Sequence, residues 1–299
     1  MTTKALLVGI NDYKTAPLRG CLNDVQAMCD VLVQHYGATE DHLRMLQDGA
    51  ATKAAIVDGL RWLAEPDAAS STCMFFFSGH GTFVADQNGD EPDGRDECIC
   101  PFDYETVGPM NDDALRDLYA SFSPDAHLLL IMDCCHSGTV QRDIAHDIRY
   151  RFLPASYDEE QRIRAAARQI RDQRDAYVIE KLSDMRDRAV PQDEWERRIK
   201  DAIAQFDKKH FGQDEVQGQV VLLAACRADQ TAADAPLGGY HGAFSYYLVE
   251  TLRSAGGRLT YGALIEQVGR SLYDRGFAQE PQLECSAASR DCGFLGLTL

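Results

Sequence analysis

Four short stretches of the chain are apolar almost without interruption: residues 5–10, 74–77, 128–132 and 220–225. A strand with one face in water alternates apolar and polar side chains, so unbroken runs of this length predict central parallel strands covered on both faces. The intervening segments carry the 3.6-residue helical period. Residues 24–35 set Val25, Met28 and Leu32 on one face, and Thr52 is placed to cap a helix carrying Ile56, Leu60 and Leu63. Residues 244–252 and 260–272 repeat the pattern after the fourth run. This alternation predicts an α/β fold, a sandwich of helices on both sides of a mostly parallel sheet.

One region breaks the alternation. Residues 141–215 hold 16 of the 30 basic and 17 of the 47 acidic side chains, so nearly all of the net charge of −17 resides elsewhere. Ile163, Ala166, Ala167 and Ile170, and then Trp195, Ile199, Ala202, Ile203 and Phe206 after Asp193 as N-cap, recur at helical spacing, with Pro191 between the two sets. We read residues 141–217 as a charged helical insertion between a first part, 1–140, and a second part, 218–299, that completes the same domain. The acidic balance repels nucleic-acid backbones and anionic membranes and suits cationic substrates. No run approaches 18 apolar residues and the first residues lack a secretory signal pattern, so the expectation is a soluble, cytoplasmic monomer.

In open α/β sheets reactive groups gather beyond the carboxyl ends of strands. The run ending at Phe77 leads into Ser78-Gly79-His80-Gly81, and the run ending at Met132 leads into Asp133-Cys134-Cys135-His136-Ser137-Gly138. An imidazole and a thiol at consecutive strand tips can form a nucleophile–base pair for acyl transfer, the imidazole favouring thiolate and later protonating a leaving amine. The glycines around His80 permit tight turns and close approach. Asp133 lies two residues before Cys135, on the same side by strand alternation, and Asp24 follows a turn after the first strand; two carboxylates near one recess favour a cation. The ten cysteines are sparse for a disulfide framework, and Cys98-Ile99-Cys100 has the wrong spacing for zinc, so Cys29 and Cys73 are read as core residues.

These two blocks resemble the signature of the metacaspases, in their bacterial orthocaspase form, among the caspase-like cysteine peptidases. Further blocks are similar too: Leu18-Arg19-Gly20-Cys21-Leu22-Asn23-Asp24, residues 90–105, Asn111-Asp112-Asp113-Ala114-Leu115, residues 225–232 and residues 279–284. They leave the helical insertion unmatched. The resemblance implies a cysteine endopeptidase with Cys135 as nucleophile, His80 as base and acid, and an oxyanion hole of the Gly81 and Cys135 backbone N–H groups. Register against His136-Ser137-Gly138 favours Cys135 over Cys134, and no third orienting side chain is evident. It further implies that Cys21, Asp24, Ser78 and Asp133 line the recess for the residue before the cut, which would be arginine, or lysine with a poorer geometric match.

Residues 86–97 are rich in oxygen ligands. Asp86, Asn88, Asp90 and Glu97 have EF-hand spacing, but Glu91 stands where that loop needs glycine. The resemblance implies instead a calcium site of Asp96, Asp112 and Asp113, with Asp143 as a fourth ligand; no cofactor is needed for the chemistry itself. The insertion occupies the place where caspase-like chains are cut, so Arg149, Arg151, Arg171, Arg174, Arg186 and Arg188 are candidate sites for cleavage by the enzyme itself or by an upstream activating protease, with protein or peptide substrates bearing basic residues. Two other readings stay open at this point: an inactive caspase-like regulatory or interaction module, and a metal or redox protein using His80, Cys134, Cys135 and His136.

Overall fold

The structure is a computed structural model and describes residues 3–65, 72–123, 125–135, 147–187, 191, 194–211 and 219–297. Two compact units emerge, one built from residues 1–82, 98–154 and 217–299, the other from residues 83–97 and 155–216. The charged insertion thus supplies most of the second unit, while residues 147–154 fold with the first.

In chain order the strands are β1 (Thr3–Gly9), β2 (Leu43–Gln47), β3 (Thr72–Ser78), β4 (Gly81–Ala85), β5 (Arg95–Ile99), β6 (Met110–Asn111), β7 (His127–Asp133), β8 (Arg149–Tyr150), β9 (Gln219–Ala224), β10 (Ala233–Pro236), β11 (Tyr240–Gly242) and β12 (Gln282–Glu284). The helices are α1 (Cys21–Tyr36), α2 (Lys53–Ala64), α3 (Tyr104–Val107), α4 (Asp112–Tyr119), α5 (Tyr157–Asp187), α6 (Trp195–Phe211), α7 (Ala243–Ser254), α8 (Tyr261–Asp274) and α9 (Ala287–Arg290). The main sheet has the order β12-β9-β7-β3-β1-β2, parallel except for β12. Its central strands are the four apolar runs, and β1 and β3 are buried at every position.

Alternation along those strands splits the core in two. Leu7, Phe76, Leu129 and Ile131 point toward α1, α7 and α8, where Val25, Met28, Leu248 and Leu264 meet them. Leu6, Val8, Phe75, Phe77 and Leu130 point the other way, onto Ile56, Leu60 and Leu63 of α2 and Leu115 of α4. The predicted Thr52 cap forms, its hydroxyl accepting from the Ala55 N–H, and Thr260 caps α8 in the same way through the Ala263 N–H. In the second unit α5 and α6 pair through Ile163, Ile170, Ala202 and Phe206, with the Tyr177 and Phe206 rings 5.7 Å apart. Asp193, the expected cap of α6, lies outside the described residues. Among the described residues no helix is long and apolar enough to cross a membrane.

What matters for chemistry is register. Gly9 pairs with Ser78 and Ser78 with Asp133, so three strands end level. The chain places β2 on one side of β1 and β3 on the other, so loops diverge at this edge and leave a crevice, as expected where strand order reverses.

Candidate active site

His80 sits one residue beyond Gly79, whose N–H donates to the Asp133 carbonyl (3.3 Å), bringing the tips of β3 and β7 side by side. The histidine is wholly buried. Its N–H donates to the Tyr13 hydroxyl (3.0 Å), that hydroxyl donates to the Cys100 carbonyl (2.8 Å), and the Cys100 N–H returns to the His80 carbonyl (3.0 Å). A Cβ at Gly79 would lie 2.5 Å from the Tyr13 hydroxyl, so this glycine serves the close approach of Tyr13. His80 Nε2 lies 2.7 Å from the Ala16 carbonyl. A carbonyl can only accept, which puts the proton on Nε2 and leaves Nδ1 with its lone pair. That Nδ1 is buried without a hydrogen-bond partner. No side chain was expected to orient this imidazole, and the partner of its Nε2 is a backbone carbonyl. Ala16 itself holds a left-handed φ of 56°, a conformation that costs a non-glycine residue about 1–3 kcal/mol. Burial lowers the imidazole to about 4, with the Ala16 and Arg151 carbonyls opposing the fall and the Arg151 guanidinium adding to it, so His80 is neutral at pH 7.

The adjacent thiols divide between the two cores. Cys135 packs on the α1–α7–α8 side and Cys134 on the α2 side, as consecutive extended residues must. Burial pushes the Cys134 thiol well up, with Cys135 and Asp133 adding to the rise, so it stays protonated. The Cys135 sulfur accepts from the Ala232 N–H (2.5 Å). Cys226 is also pushed up, first by a side-chain hydrogen bond with Cys135 and then by burial. His136, Ser137 and Gly138 lie outside the described residues.

Beside the pair is an anionic recess, and Arg151 fills it. The Arg151 side chain is completely buried. Its Nη2 donates to Asp24 Oδ2 (2.7 Å) and Asp234 Oδ1 (3.2 Å); its Nη1 donates to Ser78 Oγ (2.7 Å) and the Asp133 carbonyl (3.1 Å) and lies 3.2 Å from Asp133 Oδ2. The Cys21 thiol is pushed up by burial, with Arg151 opposing and Asp24 adding to the rise. All four residues expected around the recess are thus gathered about one guanidinium. Asp24 does not cap α1; besides Arg151 it accepts from Ser78 Oγ (2.9 Å) and the Gly242 N–H (3.0 Å) and faces His241 Nδ1 (3.0 Å). Gly242 forms a wall where a Cβ would lie 2.2 Å from Asp133 Oδ2 and 2.6 Å from Arg151 Cζ. Three buried carboxylates around one cation leave an excess of negative charge. Asp133 registers it: burial raises its carboxyl to about 6, Asp24 adds to the rise, and Arg151 together with the Ser245 hydroxyl and N–H opposes it.

The backbone of Arg151 is held as firmly as its side chain. Its carbonyl accepts from the N–H groups of Gly81 (3.0 Å) and Cys135 (3.2 Å), the two donors expected to form the oxyanion hole. Its N–H donates to the Ala232 carbonyl (3.1 Å), and upstream β8 pairs antiparallel with β10, Tyr150 opposite Ala233 and Arg149 opposite Asp234. Downstream, the Leu153 N–H donates to the Gly81 carbonyl (2.9 Å) and Thr82 Oγ1 to the Leu153 carbonyl (2.8 Å). The segment around Arg151 is therefore fixed at both its side chain and its carbonyl, and β8 just before it is paired with β10. Sequence reasoning missed Asp234, the Ala16 carbonyl and Gly242. Asp234 stands two residues past a recognised block with no local pattern to mark it. Arg151 was one of six equivalent arginines until the fold singled it out.

Of the expected calcium ligands, Asp96 belongs to the second unit and Asp112 and Asp113 to the first. Asp96 is buried in the second unit, where one oxygen each from Asp86, Asp90 and Asp96 falls within 4.8 Å of the others. Asp112 and Asp113 begin α4 and pair with Arg116 at 3.0 and 2.9 Å, while Asp112 Oδ1 is buried without a hydrogen-bond partner. Asp143 lies outside the described residues, as does Arg188.

A mostly parallel sheet flanked by helices, with a histidine and a cysteine at its rim and an incoming strand on β10, is the caspase-like architecture. Among solved structures, Caspase-1 from Spodoptera frugiperda superposes with a TM-score of 0.54 at 11% identity, over 95% of this chain and 86% of that one. A protein from Geobacter sulfurreducens superposes with a TM-score of 0.65 at 24% identity, over 99% of both chains. The sequence profile described as "Metacaspase, peptidase C14 domain" matches residues 3–143. Metacaspase-1A of Aspergillus niger is 31% identical over 301 residues, 95% of this chain and 70% of the relative. Metacaspase-1 of Eremothecium gossypii is 30% identical over 294 residues, and there the chain spans 64% of the relative's length. The chain belongs to the metacaspase family.

Proposed function

We propose that this chain is a cysteine endopeptidase that cuts after arginine, and that its own Arg151–Phe152 bond is a processing site that blocks the active site until it is cut or displaced. The observation carrying this reading is the double fixation of Arg151, its guanidinium among Asp24, Asp133 and Asp234 and its carbonyl between two N–H donors. Cys135 Sγ attacks the Arg151 carbonyl carbon as its proton passes to His80 Nδ1. The oxygen gains negative charge where Gly81 and Cys135 N–H already point, an arrangement worth about 2.7–4 kcal/mol per donor in comparable sites. Collapse to the thioester expels the Phe152 amine, which takes the proton from His80, and water then releases the Arg151 carboxylate.

Lysine fits this recess less well, because the planar fork of Arg151 reaches Asp24, Asp234 and Asp133 from two nitrogens, whereas an ammonium is a single point of charge. An upstream protease would find Arg151 inaccessible and would act on the exposed arginines of α5, such as Arg171 or Arg186, after local unwinding. Calcium belongs to the same reading as a regulator. Asp112 and Asp113 offer only hard oxygen donors, and Asp112 Oδ1, buried without a hydrogen-bond partner, suits a cation ligand. The chemistry of the Cys–His pair needs no metal.

The test is intact-mass analysis of the purified chain with and without calcium. We expect fragments 1–151 and 152–299 with Phe152 as the new N-terminus, absent from Cys135→Ala. A wild-type chain that neither cuts itself there nor hydrolyses arginine peptides would refute the proposal.

A further inference from the structure

Four residues upstream of Arg151, the docked segment makes a second charged contact that the arginine recess does not explain. Asp147 lies four residues before Arg151. Its Oδ1 accepts from Arg19 Nη1 (3.0 Å) and its Oδ2 from the Tyr240 hydroxyl (2.6 Å). Arg19 and Tyr240 are themselves joined. Arg19 Nη1 donates to the Tyr240 hydroxyl (2.6 Å), and the guanidinium lies over the Tyr240 ring at 4.7 Å.

We propose that Arg19 and Tyr240 form a subsite for an acidic side chain placed four residues before the cleaved arginine. The inference rests on the arginine-directed peptidase reading and extends its substrate class from a single residue to a spaced pair, acid then arginine.

The spacing is enforced by the frame that builds the recess. The Arg19 and Gly20 N–H groups donate to Asp234 Oδ2 (2.8 Å) and Oδ1 (2.9 Å), and that same Oδ1 faces Arg151. Tyr240 opens β11, opposite Pro236 of β10, and its carbonyl accepts from Asn23 Nδ2 (2.8 Å), one residue before Asp24. Both clamp residues are therefore tied to the strand on which a substrate adds and to the loop that carries the recess carboxylates. Asp147 reaches the clamp from a turn just ahead of the two residues, Arg149 and Tyr150, that pair with β10, so the clamp is met at a fixed distance from the seated arginine. The guanidinium also supplies a cation beside a groove on a chain of net charge −17, which discriminates against basic side chains at that position.

Side chains of Arg19 and Asp147 are 41% and 57% exposed, so the preference should be several-fold and salt-sensitive rather than absolute. The experiment compares kcat/KM for the fluorogenic pentapeptides acetyl-Asp-Ile-Arg-Tyr-Arg-aminomethylcoumarin and its Ala and Lys versions at the first residue. With wild type we expect the Asp peptide to be favoured about fivefold over Ala and more over Lys, the ratio shrinking at 0.5 M salt. In Arg19→Ala the Asp/Ala ratio should fall toward one, and in Arg19→Glu the order should invert in favour of Lys, a gain that a folding defect cannot mimic. Hydrolysis of all three peptides at equal rates would overturn the subsite and leave the arginine reading standing. Failure to hydrolyse any of them would remove the parent reading and the subsite together.

Discussion

If Arg151 blocks the recess, deleting its guanidinium should open the site to competitors, and the size of that opening can be reasoned from the contacts. In Cys135→Ala the chain cannot cut itself, but residues 147–154 still dock. Adding Arg151→Ala removes every interaction with Asp24, Ser78, Asp133 and Asp234. Removing one partner from a buried ionic cluster leaves about 3–5 kcal/mol uncompensated. The backbone bonds of β8 with β10 and of the Arg151 carbonyl return about 1 kcal/mol each, against an ordering entropy of about 1–2 kcal/mol for each of the residues held. The segment should therefore release and the three carboxylates rehydrate. A labelled peptide copying residues 147–152 must displace that segment in Cys135→Ala but not in Cys135→Ala/Arg151→Ala. We expect its Kd, read by fluorescence anisotropy, to fall about 100-fold or more in the double variant, corresponding to about 2.7 kcal/mol or more of lost competition. A thermal melt on both proteins checks that the comparison is between folded chains. Equal affinities in two folded proteins would show that the segment does not compete for the recess, and the account of latency would fall.

Cys135→Ala should abolish peptide hydrolysis, whereas Cys134→Ala should retain it within about tenfold, since the Cys134 thiol faces the opposite core and burial keeps it protonated; comparable losses in both would contradict the assignment. Asp133, raised to about 6 by burial, faces Arg151, Asp24 and the Ser245 hydroxyl, with Cys21 and Asp234 near the same guanidinium. Protonation below that value removes a charge from the recess, so kcat/KM for arginine peptides should fall as pH drops through about 6, while His80, lowered to about 4 in the occupied site, stays neutral. A profile flat down to pH 5 would contradict this. Gly242→Ala should raise KM for arginine peptides at least tenfold, because its Cβ would enter the space of Asp133 and the guanidinium; an unchanged KM would show that the wall yields.

The sheet and its helices were legible in the chain because their causes are local. Unbroken apolar runs of four to six residues suit central strands and are too short for buried helices, and Thr52 and Thr260 cap helices through atoms three residues away. The positions of His80 and Cys135 followed from the same runs, since strand ends in such sheets face one crevice. What the chain could not reveal were contacts made across large sequence separations. The Ala16 carbonyl is 64 residues from the histidine it orients, and Asp234 is 83 residues from the arginine it faces. Nor could spacing choose among six arginines, because Arg151 differs from the rest only in where its segment docks. Periodicity and register thus determined the scaffold and the placing of His80 and Cys135 just beyond neighbouring strand ends. The third carboxylate, the tautomer of the base and the residue in the recess were decided by tertiary packing, where backbone groups and charges distant in sequence share one buried volume.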